Sequence, residues 1–118
     1  MMRLGKELKE INVVSDQYGS PTYTADLSSL LVEMIKTEKY GIYHATNEGV
    51  CSWAEFAEEI FKIAKMDVNV NYITTAEYRT RAKRPLNSKL SKKRIKENFY
   101  ELPNWKSSLQ TFIKNLNF

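Results

Sequence analysis

Basic side chains cluster in one short stretch of this chain. Half of the 18 lysines and arginines lie between Arg79 and Glu97, and Glu97 is the one acidic residue among them. Such a segment is typical of a solvated face, a nucleic-acid surface or a clamp for a smaller phosphate ligand. The chemistry that these residue types can do is therefore the binding of anions.

The best candidate within this stretch is Lys83-Arg84-Pro85-Leu86-Asn87-Ser88. Arginine presents several donors in a planar fork that matches phosphate oxygens, and the Asn87 and Ser88 side chains can complete the shell. A small molecule with a diphosphate would suit this group, and a solvated loop is the alternative. Nucleic acid is the rival ligand, because the basic residues could neutralise several phosphates. Against it, we expect the nearby aromatic residues to lie in the core, which leaves few platforms for stacking bases.

A second polar stretch runs from Asp16 to Thr24. It lies between a predicted buried strand and a predicted amphipathic helix, and Gly19 and Pro21 restrict its shape. Rigid polar loops of this kind often carry binding groups. The alternative is a strand-to-helix turn in which Thr24 is the N-cap and Asp26 favours the helix dipole.

Residues for catalysis or for a cofactor are scarce. His44 is the one histidine and Cys51 the one cysteine, so no cluster has zinc-ligand spacing. We expect His44 to be a structural histidine in an apolar strand. The four glycines are too far apart for a dinucleotide loop, and none of the seven tyrosines has a lysine four positions later. The sequence therefore predicts no catalytic, cofactor-binding or metal-ligating residue.

The composition predicts one small globular domain over residues 1–118. A hydrophobic fraction of 42% with 12% aromatic residues excludes general disorder. No apolar run approaches the ~20 residues that cross a bilayer, and a single cysteine excludes an internal disulfide. We therefore expect a soluble, cytoplasmic protein.

Hydrophobic spacing predicts alternating strands and helices, which is the α/β class with mixed α+β character. Ser52 and Glu55 have the spacing of a capping box, followed by an apolar stripe that includes Trp53. Gly5 argues against a stable helix at the start of the chain. The predicted elements are strands at 11–15, 41–46 and 68–73, and three to four helices: near 24–37, near 52–64, a short one that starts near Lys92, and one near 105–116.

Four blocks of this sequence resemble the C-terminal portion of the dTDP-4-dehydrorhamnose reductases, a family of extended short-chain dehydrogenases. The blocks lie in the family's order and cover nearly the whole chain. They are Val13-Val14-Ser15-Asp16-Gln17-Tyr18-Gly19-Ser20-Pro21-Thr22, Gly41-Ile42-Tyr43-His44-Ala45-Thr46-Asn47, Cys51-Ser52-Trp53-Ala54-Glu55-Phe56-Ala57 and Ala82-Lys83-Arg84-Pro85-Leu86-Asn87-Ser88-Lys89-Leu90.

This resemblance implies a function. Members of the family reduce dTDP-4-dehydro-L-rhamnose to dTDP-L-rhamnose with NADPH or NADH, for cell-surface polysaccharide. The N-terminal Rossmann half, with the cofactor loop and the catalytic Tyr and Lys, has no counterpart here, so we expect this chain alone to bind no cofactor and to be inactive. Carried over by motif, Arg84 binds the dTDP diphosphate, Asn87 supports it, and Gln17 faces the cleft.

Two other classes of function stay open. The β subunit of methionine adenosyltransferase resembles these reductases while serving a partner enzyme, so a regulatory module is one alternative. A basic nucleic-acid-binding domain is the other. If the chain is part of such a reductase, the surface that packs against the missing Rossmann half should be exposed and should favour homo-oligomers.

Overall fold

The computed structural model describes residues 1–116, in which helices and strands alternate along the chain. This mixed order confirms the α/β class that the sequence predicts. The helices are α1 (Met2–Glu7), α2 (Thr24–Ile35), α3 (Trp53–Ile63), α4 (Lys93–Asn98) and α5 (Trp105–Asn115). The strands are β1 (Glu10–Val14), β2 (Tyr18–Gly19), β3 (Cys51–Ser52) and β4 (Asn69–Ile73).

Two small sheets frame the loop that follows β1. β1 and β4 pair in parallel, with Glu10 opposite Asn69 and Val14 opposite Ile73. β2 and β3 pair in antiparallel fashion, with Tyr18 opposite Ser52. Because β1 and β2 belong to different sheets, the residues between them are held at both ends.

Helix α3 begins at the predicted capping box. Glu55 N donates to Ser52 Oγ at 3.2 Å, and Ser52 N donates to Glu55 Oε2 at 2.6 Å. The helix buries its alanine-rich stripe, but the prediction that Trp53 is in the core is wrong, since 55% of it is exposed. A helical side chain lies over the turn that precedes its own Cα, and Trp53 is the first residue of the helix, so no such turn exists.

The apolar side chains form two separate clusters. The larger one packs α3 and α5 against β1, and its buried members are Val13, Cys51, Ala54, Ala57, Ile60, Phe61, Trp105 and Leu109. The smaller one joins α2 to α4 through Leu30, Ile95 and Leu102. The loop with the candidate anion-binding residues lies outside both clusters, because every residue from 76 to 91 is exposed.

Three sequence predictions about local structure are wrong. Gly5 lies inside α1, where a Cβ would come within 2.7 Å of Phe61 Cε1, so the glycine lets α1 approach α3 closely. The predicted strand at 41–46 makes no ladder with residues 1–116. His44 is exposed there and has no hydrogen-bond partner among those residues, so it is not the satisfied structural histidine that we expected.

Candidate functional site

The loop from Ser15 to Tyr23 is held in place by hydrogen bonds at both ends. Ser15 Oγ donates to the Ile73 carbonyl at 3.1 Å, and Ser20 Oγ donates to the Gly49 carbonyl at 2.6 Å. At the start of α2 the N-cap is Tyr23, which has no capping side chain of its own, so the prediction of Thr24 as N-cap is wrong. A distant side chain takes over this role.

Asn47 is that distant side chain. Its Oδ1 accepts from Tyr23 N at 2.7 Å, which satisfies a free donor at the helix start. Its Nδ2 lies 2.7 Å from Asp26 Oδ2, 2.9 Å from the Pro103 carbonyl and 3.0 Å from Ser108 Oγ. Asn47 therefore fixes the end of the candidate loop against α2 and α5. Nothing in its local sequence indicates this, because its partners are far away along the chain.

Strand β2 joins the two stretches that the sequence singles out. Tyr18 N donates to the Leu86 carbonyl at 2.9 Å, and Ser88 N donates to the Tyr18 carbonyl at 2.8 Å. Asn87 thus lies directly opposite Tyr18, in parallel. The backbone thus places Asn87 next to Tyr18, the residue that follows Gln17, although 69 positions separate Asn87 from Tyr18 in sequence. Asn87 Oδ1 accepts from Lys89 N at 2.9 Å, and its Nδ2 has no partner among residues 1–116.

Gln17 is oriented by a threonine that sequence analysis missed. Thr75 Oγ1 donates to Asp16 Oδ1 at 2.6 Å, and Gln17 Nε2 lies 3.2 Å from the same hydroxyl. A carboxylate can only accept, so the single hydroxyl proton goes to Asp16, and the hydroxyl must accept from Gln17. The amide orientation of Gln17 is therefore fixed, and within the described chain its Oε1 has no partner.

The same threonine acts on Asp16. The Thr75 hydroxyl and then the Thr75 backbone N–H, at 2.9 and 3.1 Å from the two carboxylate oxygens, lower the pKa of Asp16 below its ordinary value. Asp16 is thus an anion at neutral pH and serves as a fixed acceptor beside Gln17.

A substitution of Thr75 tests this arrangement. We expect Thr75→Val to raise the pKa of Asp16 toward its ordinary value, because the hydroxyl donor is lost while the backbone donor stays. Thr75→Ser keeps the hydroxyl and should keep the pKa low. Carbon-13 NMR titration of the Asp16 carboxyl measures both. Equal pKa values in the valine and serine variants would contradict the role of the hydroxyl.

Arg84 lies in the exposed loop before Asn87. Its side chain makes no hydrogen bond or ion pair with residues 1–116. The other basic residues of this loop are in the same situation, and they are Arg79, Arg81, Lys83 and Lys89. Five cations without partners among residues 1–116 therefore lie on or beside the stretch that pairs with β2.

The remaining basic residues of the segment are bound to the protein. Lys92 Nζ lies 2.8 Å from Glu48 Oε1, and Lys96 Nζ lies 3.2 Å from Glu48 Oε2 and 3.1 Å from Glu101 Oε2. Burial alone would raise the pKa of Glu48, but the two lysines outweigh it and lower that pKa. The Arg94 guanidinium lies over the Tyr43 ring, 4.9 Å from its centroid.

The structure thus divides the basic segment in two. The side chains of the helical half contact the protein, and those of the loop half have no partners among residues 1–116. A groove of about 640 Å³ opens where the halves meet, and it is lined by Glu48, Gly49, Val50, Lys89, Leu90, Ser91, Lys92, Lys93 and Lys96.

One sequence argument against nucleic acid is wrong. We expected the aromatic residues near the basic segment to lie in the core, but Tyr78 is 51% exposed. It lies just before a loop that packs on neither apolar cluster, so half of its surface stays open.

Neither a metal site nor a membrane span is present in the described part of the chain. Among residues 1–116, no three His, Cys, Asp or Glu side chains are grouped so that they could hold a metal ion. No helix in this range has the length and apolar character that a membrane crossing requires.

This chain is similar in sequence to parts of longer bacterial proteins. The dTDP-4-dehydrorhamnose reductase of Aggregatibacter actinomycetemcomitans is 42% identical over 98% of this chain. The spore coat polysaccharide biosynthesis protein SpsK of Bacillus subtilis is 37% identical over 97% of it. The chain spans 42% and 40% of these two relatives, so it corresponds to less than half of either protein.

A solved structure agrees with the sequence comparison. The dTDP-4-dehydrorhamnose reductase of Bacillus anthracis, in complex with NADP, superposes with a TM-score of 0.90 at 44% identity. The match covers 98% of this chain and 41% of that structure. The family described as the RmlD substrate binding domain matches residues 1–118. The chain therefore belongs to the RmlD substrate binding domain family.

Proposed function

We propose that this chain is the substrate-binding part of a dTDP-4-dehydrorhamnose reductase and that it binds the diphosphate of a dTDP-sugar. The observation that carries this proposal is the pairing of Tyr18 with Leu86, Asn87 and Ser88. It brings the Gln17 loop and the Arg84 loop together, and both loops present polar groups without protein partners. The family name and the relatives support the choice of ligand.

Each candidate residue has a group available for a defined part of the ligand. The Arg84 guanidinium is free to form paired hydrogen bonds to phosphate oxygens. Asn87 Nδ2 is a second free donor for the same phosphates. Gln17 Oε1 is a free acceptor and suits a hydroxyl of the sugar or ribose. Two donors and one acceptor thus match the diphosphate and the sugar.

The residues of this chain do not fit a nicotinamide cofactor. Its four glycines are widely separated, and it has no tyrosine with a lysine four positions later. The reduction with NADPH or NADH therefore belongs to an N-terminal Rossmann half, which we propose as the partner of this chain. In the cytoplasmic enzyme, this chain binds the nucleotide and orients the sugar toward that half.

Reductase activity tests whether this chain needs the N-terminal half for the reduction. The test uses a joined protein, which consists of this chain placed after the N-terminal part of the Bacillus anthracis reductase. We expect NADPH oxidation with dTDP-4-dehydro-L-rhamnose in the joined protein and none in the 118-residue chain. Turnover by the 118-residue chain would overturn the proposal, and so would a folded joined protein that binds NADPH but does not bind dTDP.

A further inference from the structure

The exposed loop between β4 and α4 starts and ends beside the same short stretch of chain. At its start, Thr75 Oγ1 accepts from Gln17 Nε2 at 3.2 Å. At its end, Leu86 and Ser88 pair with Tyr18 through backbone hydrogen bonds of 2.9 and 2.8 Å. Gln17 and Tyr18 are consecutive, and consecutive Cα atoms are about 3.8 Å apart. The two ends of the loop are therefore close together in space.

Tyr78 and Arg84 lie near opposite ends of this loop. Tyr78 is three residues after Thr75, and Arg84 is two residues before Leu86. Three residues of extended chain span at most about 11 Å. Both side chains therefore start close to the paired ends of the loop, so one small ligand can contact both.

The backbone at Tyr78 is fixed, although its ring is exposed. Tyr78 N donates to the Thr74 and Thr75 carbonyls, at 3.2 and 3.3 Å. Thr74 donates through its N–H and its hydroxyl to Glu77 Oε2, at 2.6 and 2.8 Å. These two donors, the backbone N–H first, lower the pKa of Glu77, so the carboxylate closes this turn as an anion at neutral pH. Tyr78 is thus held in a defined place next to Thr75, the residue that orients Gln17.

The Tyr78 ring is not used to hold the described chain together. It is half exposed and belongs to neither apolar cluster. Within residues 1–116 it contacts no other ring and no cation, and its hydroxyl makes no hydrogen bond. Tyr43 and Tyr72 differ in this respect, because the first packs on Phe99 and the second donates to Glu58. An aromatic face that is held in place but left open is suited to stacking on a ligand.

We propose that Tyr78 stacks on the nucleobase of the bound nucleotide. This subsite rests on the proposed binding of the diphosphate by Arg84. A dTDP-sugar carries the nucleoside on one side of the diphosphate and the sugar on the other. The sugar is directed toward the N-terminal half, where the reduction occurs, so the nucleoside is left for this loop.

Stacking determines what Tyr78 contributes to recognition. Every base has a π-face, so an aromatic ring holds thymine and uracil alike, whereas the hexose of the ligand has no such face. Tyr78 therefore adds affinity for the nucleoside but does not select the base.

Calorimetric titration of the joined protein with thymidine tests this subsite without involving the diphosphate. We expect Tyr78→Ala to weaken thymidine binding by at least about fivefold, since the loss of one base–aromatic stack has an effect of this size. Uridine should show the same loss. Tyr78→Phe keeps the ring and should bind both nucleosides as the wild type does. The control Tyr100→Ala removes another tyrosine, 39% exposed and outside the loop, and should change neither affinity.

Wild-type affinity for thymidine in Tyr78→Ala would overturn the proposal. An equal loss in Tyr78→Phe would also overturn it, because the hydroxyl would then be the contact. These outcomes do not depend on Arg84. If Arg84→Ala leaves the binding of dTDP unchanged, the proposed diphosphate contact fails, while a loss of thymidine binding in Tyr78→Ala still supports the base subsite.

Single-stranded DNA is a second source of thymine, and the free cations of this loop suit its phosphates. We expect dTDP to bind the joined protein more tightly than an oligothymidylate at physiological salt, because the donors of Arg84 and Asn87 fit one diphosphate. Tighter binding of the oligothymidylate, with an affinity that falls steeply with salt, would assign Tyr78 to nucleic acid and overturn the proposal.

Proton NMR of the joined protein detects the stacking itself. Thymidine should shift the ring protons of Tyr78 through its ring current and leave those of Tyr100 unchanged. If the N-terminal half already covers the Tyr78 ring, thymidine will cause no shift there, and the proposal is wrong.

Discussion

Replacing Asn47 with alanine is expected to lower the free energy of unfolding by about 2–3 kcal/mol, since a buried polar group left without its partner costs about 1–3 kcal/mol. The Asn47 side chain is fully buried. Alanine would leave the Tyr23 N–H without its partner and would remove one donor from Asp26 and one from the Pro103 carbonyl, which keeps the Glu48 N–H. These losses belong to one network, so they do not simply add.

The matched control for this experiment is Asn71→Ala. Asn71 Nδ2 donates to Asn12 Oδ1 at 3.1 Å, but this contact lies on the solvent side of the small parallel sheet. Its loss should cost less than about 0.5 kcal/mol, as is usual for surface substitutions. Urea unfolding of the two variants measures both values. A loss below about 1 kcal/mol for Asn47→Ala would show that water replaces the network.

Asn47 also affects the candidate site. Its neighbour Gly49 accepts the hydrogen bond from Ser20 Oγ, and Tyr23 ends the loop that begins at Asp16. Asn47 thus sets the position of the loop that carries Gln17. We expect stability and ligand binding to fall together in Asn47→Ala, whereas substitutions of Arg84 should affect binding alone.

The sequence predicted best those features that depend on neighbouring residues. The capping box at Ser52 and Glu55 needs only four consecutive positions, and it is present as predicted. The role of Asn47 depends on partners 21, 24, 56 and 61 residues away, so local pattern could not reveal it. Gly5 shows the same limit, because its contact with Phe61 overrides the low helix propensity of glycine.

Of the candidate site, the sequence predicted the residues but not the contacts between them. Residue types singled out Arg84 and Asn87 as groups that could bind phosphate, and the family resemblance added Gln17. The contact between their loops depends on the pairing of Tyr18 with Asn87, and the orientation of Gln17 depends on Thr75. The strand at 41–46 had the right local pattern, but a strand forms only beside another strand, and residues 1–116 supply none there.

Arg84→Ala is expected to weaken the binding of dTDP to the joined protein by about 10- to 100-fold, since hydrogen bonds to a charged group contribute about 1.5–3 kcal/mol. Arg84→Lys should recover only part of this loss, because an ammonium group lacks the planar fork that pairs with two oxygens. Neither variant should change the Tm in the absence of ligand, because Arg84 makes no contact that stabilises the described chain.

Arg79→Ala is the control for the loss of one charge. Arg79 lies in the same exposed loop and also has no partner within residues 1–116, but it is outside the Lys83–Ser88 block. We expect a loss of less than about threefold in affinity, because a distant exposed charge is largely screened by salt. Equal losses for Arg79→Ala and Arg84→Ala would indicate a general electrostatic effect of the loop.

The central claim is that Arg84 binds the diphosphate, and calorimetric titration of the joined protein with dTDP and with thymidine tests it most directly. Thymidine lacks the diphosphate, so Arg84→Ala should weaken the binding of dTDP by at least tenfold and leave the binding of thymidine unchanged. Wild-type affinity for dTDP in Arg84→Ala, or an equal loss for both ligands, would contradict the account.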